Sequence, residues 1–130
     1  MGADEIDPEL LELAGKVFDF ARRGDAAGLA AFVDAGVPVN LTNDAGDTLL
    51  MLAAYHGHDD AVAALLERSA DPNRTNDKGQ TPLAGAVFKG ETGIARLLTA
   101  AGADPDAGTP SARAAAVMFG KTDLLELFGA

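Results

Sequence analysis

A chain of 130 residues that is 48% apolar and lacks cysteine and tryptophan suits one packed domain. Its formal net charge of -10, twenty acids against ten bases, argues against nucleic acid and anionic membranes as partners, because phosphate binding takes clustered cations. The lack of cysteine removes disulfides, zinc thiolate sites and cysteine nucleophiles, and agrees with a reducing compartment.

The chain opens with Asp4, Glu5, Asp7, Glu9 and Glu12 and no base before Lys16. A secretory signal starts cationic, so none is read here. No apolar run approaches the roughly 18 residues of a membrane span. The expectation is a soluble cytoplasmic protein. Asp7-Pro8-Glu9 is a helix start, with Asp accepting backbone N–H bonds and Pro at the first helical position. The helix is predicted over 8–22, with Leu10, Leu11, Leu13, Val17, Phe18 and Ala21 as its apolar stripe.

The next stretch contains a repeat. Asn43-Asp44-Ala45-Gly46-Asp47-Thr48-Leu49-Leu50 returns 33 residues later as Asn76-Asp77-Lys78-Gly79-Gln80-Thr81-Pro82-Leu83. At the same shift Gly57 meets Gly90, Leu65 meets Leu98, and Ala70-Asp71-Pro72-Asn73 meets Ala103-Asp104-Pro105-Asp106. Applied backwards, the shift places Gly24 on Gly57 and Phe32 on Leu65, a degenerate first copy. Applied forwards, Gly120 lies 30 residues after Gly90, so the fourth copy has a connection about three residues shorter between Asp104 and Ser111. An ordered series over a whole period is the signature of stacked repeats.

Each copy reads as loop, short helix, glycine stop, second helix and turn. Leu50, Ala53 and Ala54 give the first helix an apolar face at i, i+3, i+4, and Gly57 ends it. Helices are predicted at 49–56, 59–67, 82–89, 92–99, 112–119 and 122–128, with no central sheet. One helix pair cannot bury its own face, so copies must stack. The chain stops at Phe128-Gly129-Ala130, where a last second helix would end, and reads as complete.

These residues resemble ankyrin repeats. Thr81-Pro82-Leu83, Ala86, Gly90, Leu97-Leu98 and Gly102-Ala103-Asp104 match that family's pattern in one copy. Gly46, Thr48, Leu50, Ala53-Ala54, Gly57-His58 and Ala70-Asp71-Pro72-Asn73 match it in the copy before. Two departures stand out. The histidine of the family's T-P-L-H is Met51 in one copy and Ala84 in the next, and its proline is Leu49 in the earlier one. The resemblance implies an all-α solenoid of about four repeats forming one domain over 1–130. Residues 1–42 would be an N-terminal capping repeat with an acidic lead-in, 43–75 and 76–108 full repeats, and 109–130 a C-terminal capping repeat.

The chemistry-bearing residues do not assemble into a known site. His56-Gly57-His58-Asp59-Asp60 gathers both histidines, but a helix break between them is expected to send the rings apart, and no metal site is expected. Counted from Asp71, positions 6 and 12 of a calcium loop would be Asn76 and Pro82; from Asp104, Thr109 and Ala115. Both fail the requirement for glycine and glutamate there. Ser69 and Ser111 lack a G-x-S-x-G context, and no phosphate-binding loop appears. No catalytic residue, cofactor or enzymatic activity is expected.

The resemblance implies that a partner protein binds a concave face. That face would be built from finger tips and from the two residues before each helix-ending glycine: Arg22-Arg23, Tyr55-His56, Phe88-Lys89 and Met118-Phe119. The finger positions are Thr42, Asp44, Ala45 and Asp47, then Thr75, Asp77, Lys78 and Gln80, of which Asp44, Asp47, Asp77, Lys78 and Gln80 are the candidate contacts. Three of the seven aromatics, Tyr55, Phe88 and Phe119, fall in this row, and aromatics, Arg and Met are enriched at interface centres. The competing reading has the rings folded down on their own fingers. The function expected is a non-catalytic interaction module, a small adaptor or an inhibitory or regulatory subunit, monomeric. Self-association as a structural unit is the alternative, followed by small-ligand or metal binding.

Overall fold

The computed structural model describes residues 8–129, so the Asp7 cap and the acidic lead-in before Pro8 lie outside the described residues, as do the side chains of Leu10 and Leu11. Among the described residues there are eight helices: α1 (Pro8–Arg23), α2 (Ala26–Asp34), α3 (Leu49–Tyr55), α4 (Asp59–Glu67), α5 (Pro82–Phe88), α6 (Thr92–Ala100), α7 (Ala112–Met118) and α8 (Thr122–Leu127). Strand pairing there is limited to an isolated Thr42–Thr48 bridge at the base of the first finger. The fold is the expected all-α solenoid.

Two layers build the stack. The first helices α1, α3, α5 and α7 pack in sequence, and so do the second helices α2, α4, α6 and α8 behind them. Thr48, Thr81 and Ser111 start α3, α5 and α7 in the same way. Each hydroxyl accepts the backbone N–H three residues on, from Met51 (3.0 Å), Ala84 (3.1 Å) and Ala114 (3.1 Å). Those bonds fix the register as 33 residues and then 30. Gly57, at φ +78, stops α3 and turns the chain back into α4, a conformation that a Cβ disfavours.

The core runs through the stack. Leu50, Leu65, Leu83 and Leu98 are buried where the repeat put them, with Ala53, Ala54, Ala61 and Ala86 between them. The alanines allow close helix approach, and the leucines fill what remains. Edges are tied by bonds that repeat with the period. Asn40 Oδ1 accepts the Asp71 N–H (2.8 Å), and 33 residues later Asn73 Oδ1 accepts that of Asp104 (2.7 Å). Asp71 and Asp104 each also accept the N–H two residues on, so both segments are turns, as their sequence suggested.

Three details differ from the sequence reading. Helix α2 was absent from the predicted set; its Gly28 sits where Ala61 sits one copy later, and Phe20 and Asp25 side chains fill the space of the missing Cβ. Leu13 is exposed rather than part of the buried stripe, because α1 presents Val17, Phe18 and Ala21 to the core. Phe32 is half-buried, its ring 5.2 Å from that of Phe20, so it covers the core instead of filling it.

Candidate interaction groove

The fingers are built by asparagine. Asn43 Oδ1 accepts the N–H groups of Ala45 and Asp47, both at 3.0 Å, and Asn76 Oδ1 accepts those of Lys78 and Gln80, both at 3.0 Å. A side chain that takes two backbone donors closes a tight turn without help from the core. Neighbouring fingers are then joined. The Asp77 N–H donates to Ala45 O, and Asn76 Nδ2 donates to both Asp47 Oδ1 and Gln80 Oε1 at 2.8 Å. The last connection hangs on the same row, through the Thr109 N–H on Gly79 O.

Opposite the fingers lie the ends of the first helices. Tyr55 is 47% exposed and Phe88 44% exposed, although every other residue of α3 and most of α5 are buried. Lys89 Nζ lies 4.9 Å from the Tyr55 ring centroid, and the Phe119 ring meets that of Phe88 edge-on at 5.3 Å. The rings therefore pack on neighbours along the row and keep an open face.

Between fingers and rings are two adjoining open depressions of about 470 and 380 Å³. Asp47, Tyr55, His56, Asp77, Lys78 and Gln80 line the first. Tyr55, Gln80, Phe88 and Lys89 line the second. Eight of the thirteen candidate residues are thus brought together, and Phe119 joins them through Phe88. The other four stand apart from the two depressions. Arg22 is paired with Asp19 (3.0 Å), Arg23 lies over Phe20 at 5.6 Å, Asp44 is exposed on its finger, and Met118 is exposed at the end of α7. The row of Tyr55 and Phe88 flanked by Arg23 and Lys89 is realised only on the Lys89 side.

Residues that the sequence reading did not assign to the partner face complete the floor. Met51 lines both depressions, and Ala84, Gly85 and Pro110 line the second. The signal was present in the repeat. The register sets Met51 against Ala84, so a large side chain in one copy stands beside a small one in the next and leaves a step.

The histidines contradict the expectation that they diverge. Their rings lie 6.5 Å apart and nearly parallel, at 27°, because the positive φ at Gly57 folds the chain back. His58 Nε2 donates to Arg22 O at 2.6 Å and so fastens α4 to the end of α1. His58 thereby serves the packing of one copy on the next. Among the described residues no three His, Asp or Glu side chains converge as a metal site would require.

Helix pairs stacked in two layers, with asparagine-closed fingers between copies, together define a stacked-repeat scaffold. A family profile described as "Ankyrin repeats (3 copies)" matches residues 18–109, and the chain belongs to the ankyrin repeat family. That family consists in general of protein–protein interaction modules. The chain is also similar to the Pseudomonas aeruginosa protein named "Putative ankyrin repeat protein PA3287", at 48% identity over 58 residues. The match covers 45% of this chain and 34% of that protein, so the chain matches about a third of its relative's length. Among the described residues no helix is long and apolar enough to cross a membrane.

Proposed function

We propose that this is a non-catalytic module, a small adaptor or an inhibitory or regulatory subunit acting in the cytoplasm. It holds a partner protein between its fingers and the ends of its first helices. The four copies, 1–42, 43–75, 76–108 and 109–130, act as one rigid scaffold. Tyr55 and Phe88 are the anchors, Asp47, His56, Asp77, Lys78, Gln80 and Lys89 surround them, and Arg22, Arg23, Asp44, Met118 and Phe119 form the rim.

The observation that carries this reading is the exposure of two aromatic rings at the ends of otherwise buried helices, beside two adjoining depressions. A ring that the core does not use is free to be buried by something else. An aromatic anchor at an interface is worth about 2 kcal/mol or more, roughly a 30-fold change in affinity. The test is calorimetric titration of the natural partner, taken from the source cell, against the wild type and Phe88→Ala. A loss of about 30-fold with an unchanged melting curve supports the groove; full affinity in Phe88→Ala and in Tyr55→Ala together refutes it.

A further inference from the structure

The caps on Thr48, Thr81 and Ser111 align the three first helices residue by residue. Six residues beyond each cap stand Ala54, Val87 and Val117. The first is fully buried and the second 1% exposed, each under the next copy, whereas Val117 is 63% exposed. One residue further stand Tyr55, Phe88 and Met118. Lys89 leans on the first and Phe119 on the second, whereas Met118 is 66% exposed. The second helices repeat the pattern, with Val62 and Ala95 buried and Leu125 half-buried. Among the described residues, the outer side of the fourth copy is therefore a stacking face with no copy packed on it.

The opposite end is different. Along α1, Glu12, Lys16 and Asp19 are exposed beside Leu13, a more charged finish. Charge divides the same way. Residues 1–42 hold eight acids and three bases, whereas 109–130 hold two of each, Asp123 and Glu126 against Arg113 and Lys121. Arg113 stands where Leu50 and Leu83 stand in earlier copies. Its guanidinium is held by Asp106 (2.7 and 3.3 Å) and by Phe128 O (3.1 Å). Covering the face would leave the Arg113 charge paired.

We propose that this face binds a second copy of the same chain, α7 and α8 of one against α7 and α8 of the other about a two-fold axis. The occupant follows from charge: the end without net side-chain charge is where two copies of an acidic protein meet with least repulsion, their acidic ends pointing apart. A two-fold contact uses the same patch twice and closes at two copies, whereas head-to-tail stacking would not close and would have to cover the polar side of α1.

The test is sedimentation equilibrium of the 130-residue chain from about 10 µM to about 1 mM. The mass should climb to that of two copies and stop. Val117→Asp and, independently, Met118→Lys should weaken the association at least about ten-fold with melting temperatures retained, because both side chains are already in solvent. Tyr55→Ala, in the groove, should leave it unchanged. A mass that stays at one copy at the highest concentration, or grows past two, overturns the proposal. So does association that survives both Val117→Asp and Met118→Lys, or that is lost in Tyr55→Ala.

Discussion

The first helices of the third and fourth copies, α5 and α7, start alike and end differently. Both begin at a hydroxyl cap, and both present small residues towards the preceding copy. In α5 five of seven residues are buried, Pro82, Leu83, Ala84, Ala86 and Val87; in α7 only Ala112, Ala115 and Ala116 are. The difference lies outside the helices, since α5 has a neighbour on both sides and α7 on one. In a stacked repeat the energetic weight of a position comes from the adjoining copy as much as from its own residue. Arg113 records an accommodation to this, being a charged residue at a leucine position that takes one partner, Asp106, from the end of the preceding copy and another, Phe128 O, from its own.

The largest effect that separates these regions should come from the second-helix leucines. Leu98 is fully buried, with α5 in front and α4 and α8 on either side in its layer. Leu98→Ala should cost about 2–5 kcal/mol in a urea titration, as should the equivalent Leu65→Ala. Leu124 is as buried, but its copy has one open side, so the cavity can collapse and Leu124→Ala should fall at the low end of that range. Equal costs at 98 and 124 would break the comparison.

The caps come next. Thr81 is 1% exposed and Ser111 half-buried, yet each makes the same bond. Removing either acceptor leaves a helix N–H without its partner. Where water cannot reach, that costs more. Thr81→Ala should therefore lose about 1–2 kcal/mol and Ser111→Ala about half as much, measured by thermal melting. A larger loss at Ser111 would mean that the last copy is better shielded than its open side suggests.

How much of this was readable beforehand follows from which contacts are local. The 33-residue register, the glycine stops and the buried Leu65 and Leu98 are properties of one copy repeated, and periodicity reveals them. Eight of the residues named from the sequence line the two depressions because the fingers and helix ends inherit that register. Helix α2 was missed because Ala26–Asp34 is apolar almost all round, seven of its nine residues being Ala, Leu, Phe or Val, so no one-sided stripe marks it. Arg68 holding Asp34 at 3.0 and 3.2 Å, and His58 reaching Arg22 O, join one copy to another, and such pairings exist only once the stack is formed. The parallel histidine rings depend on one backbone angle at Gly57, which no spacing rule encodes.

The groove side chains should weigh less on folding than the caps. Phe88 is exposed, and its packing is the edge-on contact with Phe119. An aromatic pair contributes about 0.5–1.5 kcal/mol, and Phe88→Ala should destabilise the chain by no more than that. A loss of about 3–5 kcal/mol would be the mark of a core ring and would remove Phe88 from the groove.

The smallest effect sharpens the comparison at the open end. Hydrogen bonding to the Arg113 guanidinium, with its positive charge, holds the Asp106 carboxyl below the usual aspartate range, and the same bond raises Arg113 further above its ordinary value. Because the folded-state pKa of Asp106 is depressed, the stability it contributes is present above the unfolded value of about 3.9 and disappears as pH falls through the folded value. The pair is largely exposed, so solvent and salt screen it and the effect is slight. Wild type and Asp106→Asn should therefore differ slightly in melting temperature at neutral pH, the wild type higher, and the two curves should converge once the solution is acid enough to protonate Asp106. Added salt at neutral pH should narrow the gap in the same direction. A gap that persists in acid would show that the charge pair does not account for it, and would leave Arg113 held chiefly by Phe128 O.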